Sequence, residues 1–151
     1  MQNRFFKLAA TLSEIDRYSH KLASEEMAKY GLSSPHAVYL DALYQHDEGI
    51  TAAKLAKLCG RNKADVSRMV AALEKKELVC KERVSGTLYR ARLRLTQKGK
   101  EAAESLRQRV TSAMEHMEYG ISEENRENFY RALELITANM QRLSLQGLPK
   151  K

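Results

Sequence analysis

Residues 61 to 76, Arg-Asn-Lys-Ala-Asp-Val-Ser-Arg-Met-Val-Ala-Ala-Leu-Glu-Lys-Lys, carry the side chains whose types and spacing point most directly to chemistry. Asn62 can cap a helix by accepting a backbone N–H three residues on, and Asp65, at that third position, can reach back in a variant of the capping box. Val66, Met69, Val70 and Leu73 recur every three or four residues and form one apolar stripe, which leaves Lys63, Ala64, Ser67, Arg68 and Ala71 facing outward. That face is small and basic, and the positive end of the helix dipole lies at Asn62 and Lys63. Such a helix suits close approach to nucleic acid. Arg68 can fork onto the two major-groove acceptors of a guanine, a contact worth about 1–3 kcal/mol of discrimination; its alternative use is a phosphate contact. Ser67 can reach a base or a phosphate, while Thr51, Lys54, Lys63 and Lys75 suit backbone contacts that set register and salt dependence.

The flanking segments must hold that helix in place. Residues 51 to 59 read as a preceding helix capped by Thr51, with Ala52, Leu55, Ala56 and Leu58 as its buried side, and Cys59-Gly60 breaks it. Two short helices joined by a tight Gly-containing turn form a helix-turn-helix, whose second helix enters the major groove. Leu78-Val79-Cys80 opens a strand, Ser85-Gly86-Thr87 makes a turn, and Tyr89 to Leu95 alternates with period two, so a two-stranded wing follows. Tyr89, Ala91, Leu93 and Leu95 share its apolar face, and Arg90, Arg92 and Arg94 the other. Arg83 and Arg90 lie nearest the tip and can reach a minor groove or its phosphates. Arg92 and Arg94 lie at the wing base, suited to backbone contacts or to solvating the sheet.

Around this module lie helical arms. Residues 3 to 30 form a long helix with a seam of Phe5, Leu8, Leu12, Ile15, Ser19, Leu22 and Glu26, ended by Gly31. Ser33-Ser34-Pro35 starts another, with Val38, Leu40, Ala42, Leu43 and Tyr44 facing a core. Thr96 caps a fifth helix running to about Tyr119, apolar along Ala103, Leu106, Val110, Ala113, Met114 and Met117, and Gly99 in its first turn implies close packing against the wing base. Gly120 breaks it. Ser122 caps a last helix carrying Phe129, Leu133, Ile136, Met140 and Leu143 and ending at Gly147-Leu148-Pro149. The expected fold is therefore mainly α with a small β wing (α+β), a winged helix-turn-helix. It is expected as one domain over 1–151, with the DNA-binding module at 34–95 and helical dimerisation arms at 1–33 and 96–151. An intramolecular bundle could cover the apolar arm faces. The preferred reading is that a second copy covers them, giving a two-fold homodimer with two recognition helices set for a pseudo-palindrome.

Charge distribution agrees with this division. The chain has a formal net charge of +7, but residues 54 to 100 hold 14 Lys and Arg against 4 Asp and Glu, a local net of +10, and the remainder is net −3. The basic residues are spread over helix, turn and strand and not along one amphipathic helix, which argues against a membrane surface. No apolar run approaches the roughly 18 residues that span a bilayer, and the N-terminus leads into a periodic helix, so a cytoplasmic protein is expected. Cys59 and Cys80 make no Cys-x-x-Cys pair and read as buried small apolar residues. His20, His36, His46 and His116 show no ligand spacing, so no metal is expected. With no Gly-rich phosphate loop and no nucleophile beside a base, no catalytic residue, enzyme activity or cofactor is expected either.

At this point the chain resembles the MarR family of winged-helix transcriptional regulators. The resemblance is carried by Ile50-Thr51-Ala52-Ala53-Lys54-Leu55-Ala56, by Val66 to Val79 and by Leu95-Thr96-Gln97-Lys98-Gly99-Lys100, and it extends over nearly the whole length. It implies a homodimeric double-stranded DNA-binding regulator, read here as a ligand-responsive repressor. It also puts Ala64 and Asp65 at base-contacting positions, where Asp65 either accepts from a cytosine amine or completes the cap with Asn62; the cap is favoured. It further implies a small effector, often aromatic or phenolic, bound between arms and winged module, where Tyr18, Tyr30, His36, Tyr39 and Tyr44 fall; aromatic residues on helices also commonly serve as core. Two departures stand out: Thr87-Leu88-Tyr89 replaces the family's Asp-x-Arg in the wing, and Glu77 stands where Gly is common. A winged-helix module that binds protein or RNA is the alternative reading.

Overall fold

The computed structural model describes residues 2–147 except 85 and 86, and the side chains of 2, 83, 84 and 87–90 lie outside that description. Among the described residues the elements run α1 (Gln2–Ala28), α2 (Pro35–Tyr44), α3 (Ala52–Leu58), α4 (Lys63–Lys75), β1 (Val79–Val84), β2 (Thr87–Leu95), α5 (Gln97–Met117) and α6 (Glu123–Gln146). The chain is mainly helical with one two-stranded antiparallel sheet, an α+β winged helix. It divides into two compact units, Met1–Thr111 and Ser112–Lys151.

In the first unit, each element contributes its periodic apolar positions to one core. Leu40 and Leu43 come from α2, Leu55 from α3, and Val66, Val70 and Leu73 from α4. Val79, Leu93 and Leu95 come from the wing base, Ala102, Ala103 and Leu106 from α5, and Met27 from the end of α1. Burying each large aliphatic side chain contributes about 1.5–3 kcal/mol, so the helix-turn-helix and the wing base are stabilised by the same cluster. The strands pair with Val79 opposite Leu95, Lys81 opposite Leu93 and Cys80 opposite Arg94, and the register slips between Glu82 and Val84. Ile50 adds a short third rung. Its N–H reaches the Leu93 carbonyl at 3.1 Å and its carbonyl accepts the Leu93 N–H at 2.8 Å. A one-residue bridge has no periodicity, so the sequence offered no sign of it.

The start of α5 is locked to the wing base. Thr96 Oγ1 accepts the Gly99 N–H at 3.0 Å and donates to the Glu77 carbonyl at 2.6 Å, and the Thr96 N–H reaches the Leu78 carbonyl at 3.0 Å. A Cβ on Gly99 would lie 1.9 Å from the Leu78 carbonyl oxygen. This is the close approach expected of Gly99. Between α4 and β1 the chain makes a Schellman turn, with the Leu78 N–H on the Leu73 carbonyl at 3.0 Å and the Glu77 N–H on the Glu74 carbonyl at 2.9 Å. Glu77 occupies the left-handed position there with φ of 61°, which is the geometric reason that Gly suits the site.

The end of α1 is tied to α5 through a buried carboxylate. Glu26 is 1% exposed and accepts from Lys29 Nζ and from Ser105 Oγ, each at 2.7 Å. Burial opposes its ionisation, yet the bonds from Lys29 and Ser105, with the charges of Lys29 and Arg109, bring its pKa below the ordinary value. Arg109 pairs with neighbouring Glu25.

In the second unit, Ser122 Oγ caps α6 by accepting the Asn125 N–H at 3.4 Å, and Tyr130 donates its hydroxyl to Glu118 at 2.8 Å. Of the apolar positions expected to face a partner, Phe129, Ile136, Met140 and Leu143 of α6 and Phe5, Leu12, Ile15 and Leu22 of α1 are exposed, whereas Leu133 and Leu8 are half-buried.

Several expected burials are corrected. Val38 is exposed, because two positions on a helix lie about 200° apart and Leu40 faces the core. Tyr39 joins Leu40 and Leu43 in the core instead, and His36 is buried beside them. Ala52 and Leu58 are exposed since α3 spans only seven residues and its middle, Leu55, alone reaches full burial. Cys80 is exposed because it shares the outward face with Arg94. Cys59 is half-buried, and that burial raises its thiol pKa, with Arg61 acting in the opposite sense.

Candidate nucleic-acid interface

Asn62 Oδ1 caps α4 by accepting the Asp65 N–H at 2.9 Å, which contributes about 1 kcal/mol and fixes where the helix begins. The turn before it passes through Gly60 at φ of 60°, and the Arg61 N–H closes onto the Ala56 carbonyl at 2.9 Å. With Val66, Val70 and Leu73 buried, the outward side of α4 presents Lys63, Ala64, Ser67, Arg68 and Ala71 to solvent. Lys75 is exposed in the last turn. On α3, Thr51 Oγ1 accepts the Lys54 N–H at 3.2 Å, and both residues are exposed. Arg61 is exposed at the turn between the two helices, a cation to which the sequence reading gave no role.

The Asp65 carboxylate does not turn back to Asn62 as the capping-box reading required. It pairs with Arg68 one turn further along α4. Asp, with its short side chain, meets an Arg at i+3 on the same face, and that charged partner wins over the backbone.

The wing base is held by its own arginines. Arg94 Nε donates to the Asp47 carbonyl at 2.8 Å, its Nη1 reaches the Glu82 carboxylate at 3.0 and 3.1 Å, and Arg92 Nη1 donates to the Glu48 carbonyl at 3.2 Å. Lys100 holds Asp47 at 2.6 Å, and that bond with the Lys100 charge lowers the Asp47 pKa. Gly49, at φ of 78°, lets these side chains pass: a Cβ there would lie 2.5 Å from Arg94 Cγ. Arg92 and Arg94 thus fasten the wing to the loop between α2 and α3, a role that the alternation of charged and apolar residues did not distinguish from solvation. Lys81 Nζ adds a tie from β1 to Glu74 on α4 at 2.6 Å. The side chains of Arg83 and Arg90, singled out for the wing tip, lie outside the described residues.

Of the positions named for a small-molecule site, Tyr39 and His36 are buried, Tyr30 packs partly against the core, and Tyr18 is exposed on α1. Tyr44 lines a cavity of about 320 Å³ with Asp47, Leu95, Lys100 and Glu104, and its hydroxyl donates to Glu104 at 3.1 Å. A second cavity of about 490 Å³ lies among Ala23 of α1, Val38 and Asp41 of α2, and Leu106 and Arg107 of α5. Arg107 pairs with Asp41 at 2.5 Å on its wall. None of the five aromatic or His positions is among the residues lining that larger cavity. Among the described residues no group of three or more His, Cys, Asp or Glu is placed to hold a metal, and no helix is long and apolar enough to cross a membrane.

Comparison with known proteins gives this arrangement a context. A model of the MarR family matches residues 30–87, the span from α2 into the wing. A MarR transcriptional regulator from Methanosarcina mazei Go1 superposes with a TM-score of 0.76 at 21% identity, covering 90% of this chain and 97% of its own. Staphylococcus aureus MepR in complex with DNA gives 0.78 at 20% identity, covering 88% and 97%. A MarR-family regulator from Listeria monocytogenes, complexed with a 26mer DNA, gives 0.78 at 18% identity, covering 95% and 97%. At such identities the structures show a common fold. Among curated proteins, none matches the sequence.

Proposed function

We propose that this chain, whose residues 30–87 match a model of the MarR family, is a sequence-specific double-stranded DNA-binding transcriptional regulator of that family, acting as a homodimeric, ligand-responsive repressor on a pseudo-palindromic operator. The observation that carries this reading is α4. It is capped at Asn62, rigidly backed by Val66, Val70 and Leu73, and presents small and basic side chains outward in a module of local net charge +10. An α-helix of that kind fits a major groove, where Arg68 has the reach to fork onto a guanine and Ala64 and Ser67 allow close approach. Thr51, Lys54, Lys63 and Lys75 would take phosphates and set the register, and Arg83 and Arg90 would extend contact toward a minor groove. MepR and the Listeria regulator, which share the fold, are described bound to DNA.

What supports the homodimer is the set of exposed apolar residues along α1 and α6, which water would otherwise cover at a cost of about 25 cal/mol per Å². What supports ligand response is the cavity walled by Asp41 and Arg107, of a size to admit a small molecule and lined from α1, α2 and α5. Selection of duplexes bound from a random pool tests the reading. A recovered two-fold-related motif whose binding weakens as salt rises supports it, and recovery of unrelated sequences alone refutes it.

A further inference from the structure

We propose that Asp65 is the specificity-determining positioning residue of the recognition helix: its carboxylate holds the Arg68 guanidinium for a base and denies it to phosphates. This rests on the DNA-binding reading above and adds to it a role for an acidic residue on a basic face.

Three features of α4 lead there. The helix cap uses the Asp65 backbone N–H, bonded to Asn62 Oδ1 at 2.9 Å, so the side chain is not needed to start the helix. That carboxylate pairs with Nη2 of Arg68 on the same outward face. The two are unequal in exposure, at 27% for the Asp65 side chain and 74% for that of Arg68. The carboxylate is therefore the fixed member, seated in the first turn where the helix dipole favours a negative charge, and Arg68 projects past it.

The consequence for recognition is one of geometry against charge. A lone arginine on a DNA-facing helix is drawn to any phosphate, and such contacts carry no sequence information. With Asp65 alongside, the pair is close to neutral as a unit and its attraction for the polyanion largely cancels. The guanidinium keeps five N–H donors, and one shared with Asp65 leaves enough for the two acceptors on a guanine edge. A carboxylate so near the DNA would itself repel a phosphate oxygen but tolerates a base edge. Asp65 thus trades general affinity for readout, and Lys63 and Lys75 supply the charge that it removes.

Binding of full-length protein to a duplex selected from the random pool and to an unselected duplex of equal length tests this, with Asp65→Asn, Asp65→Ala, Arg68→Ala and the Asp65→Ala/Arg68→Ala double variant. Asp65→Asn is expected to tighten the unselected duplex about threefold, to steepen its salt dependence by up to one phosphate per subunit, and to lower the selected-to-unselected ratio about tenfold. Asp65→Ala alone should also lower the ratio, but in the Arg68→Ala background it should alter that ratio less than about twofold, since a positioning residue acts through the side chain that it positions. An unchanged ratio in Asp65→Asn, an equal fall in both affinities, or an undiminished Asp65 effect without Arg68 overturns the proposal. If the unsubstituted protein prefers no duplex, it is the operator reading that fails.

Discussion

Replacing Gly99 by Ala is expected to destabilise the protein by about 2–4 kcal/mol, although the change puts a better helix former into a helix. Gly99 lies in the first turn of α5, where a Cβ would meet the Leu78 carbonyl oxygen at 1.9 Å, the Leu78 carbonyl carbon at 2.9 Å and Leu95 Cδ2 at 3.2 Å. The two nearest atoms are backbone, so no rotamer change relieves the clash, and α5 or β1 must move by more than about 1 Å to reach an ordinary contact. Such a shift pulls on two bonds that fasten the joint, from the Thr96 N–H to the Leu78 carbonyl and from Thr96 Oγ1 to the Glu77 carbonyl. Each contributes about 1 kcal/mol. Overpacking against buried Leu78 and Leu95 adds about 1–3 kcal/mol, and the helical preference of Ala returns at most about 1 kcal/mol. Urea unfolding followed by far-UV circular dichroism, at one fixed protein concentration, measures the difference. A variant within about 0.5 kcal/mol of the unsubstituted protein would refute the claim that α5 and the wing base are closed on each other through this glycine.

Glu77→Gly should raise stability by about 0.5–1 kcal/mol, because it relieves a left-handed residue at φ of 61° while giving part of the gain back to the unfolded chain; a loss in the same urea experiment contradicts the Schellman reading. Glu26 ionises more readily folded than unfolded, so the unfolded chain binds more protons as pH falls. Its contribution is thus fully present above the unfolded carboxylate pKa of about 4.3 and is lost as pH falls through the lower folded value. Glu26→Gln should flatten the stability–pH curve in that acid window and cost about 1–3 kcal/mol at neutral pH, and an unchanged slope would exclude Glu26 as a source of it. Sedimentation at micromolar concentration should return a dimer, and a well-folded monomer retaining both α1 and α6 would remove the basis for a two-fold operator. Lys75→Ala should weaken all duplexes alike and lower the salt slope, whereas a sequence-dependent loss would move Lys75 from the phosphates to a base.

Periodicity and local capping chemistry sufficed to read α4, its buried stripe and its outward face, because a 13-residue helix with Asn62 at its cap is specified by its own neighbours. The same holds for Thr51, Thr96 and Ser122, each of which caps the helix expected of it through a bond to a backbone N–H three residues on. Gly99 was legible too, since a glycine early in a helix has few other reasons to be there. The partner of the Asp65 carboxylate is settled within α4 as well, but capping chemistry alone does not pick it, because Arg68 at i+3 competes with the backbone for it. Tertiary structure decided the rest. That Arg92 and Arg94 clasp the Asp47 and Glu48 carbonyls, with Ile50 bridging to Leu93, arises from contacts more than 40 residues apart in sequence, for which alternation along a strand holds no information. The burial of Tyr39 and exposure of Val38, adjacent on α2, were likewise set by the orientation of that helix on the core, which a ten-residue segment of high overall apolarity leaves undetermined.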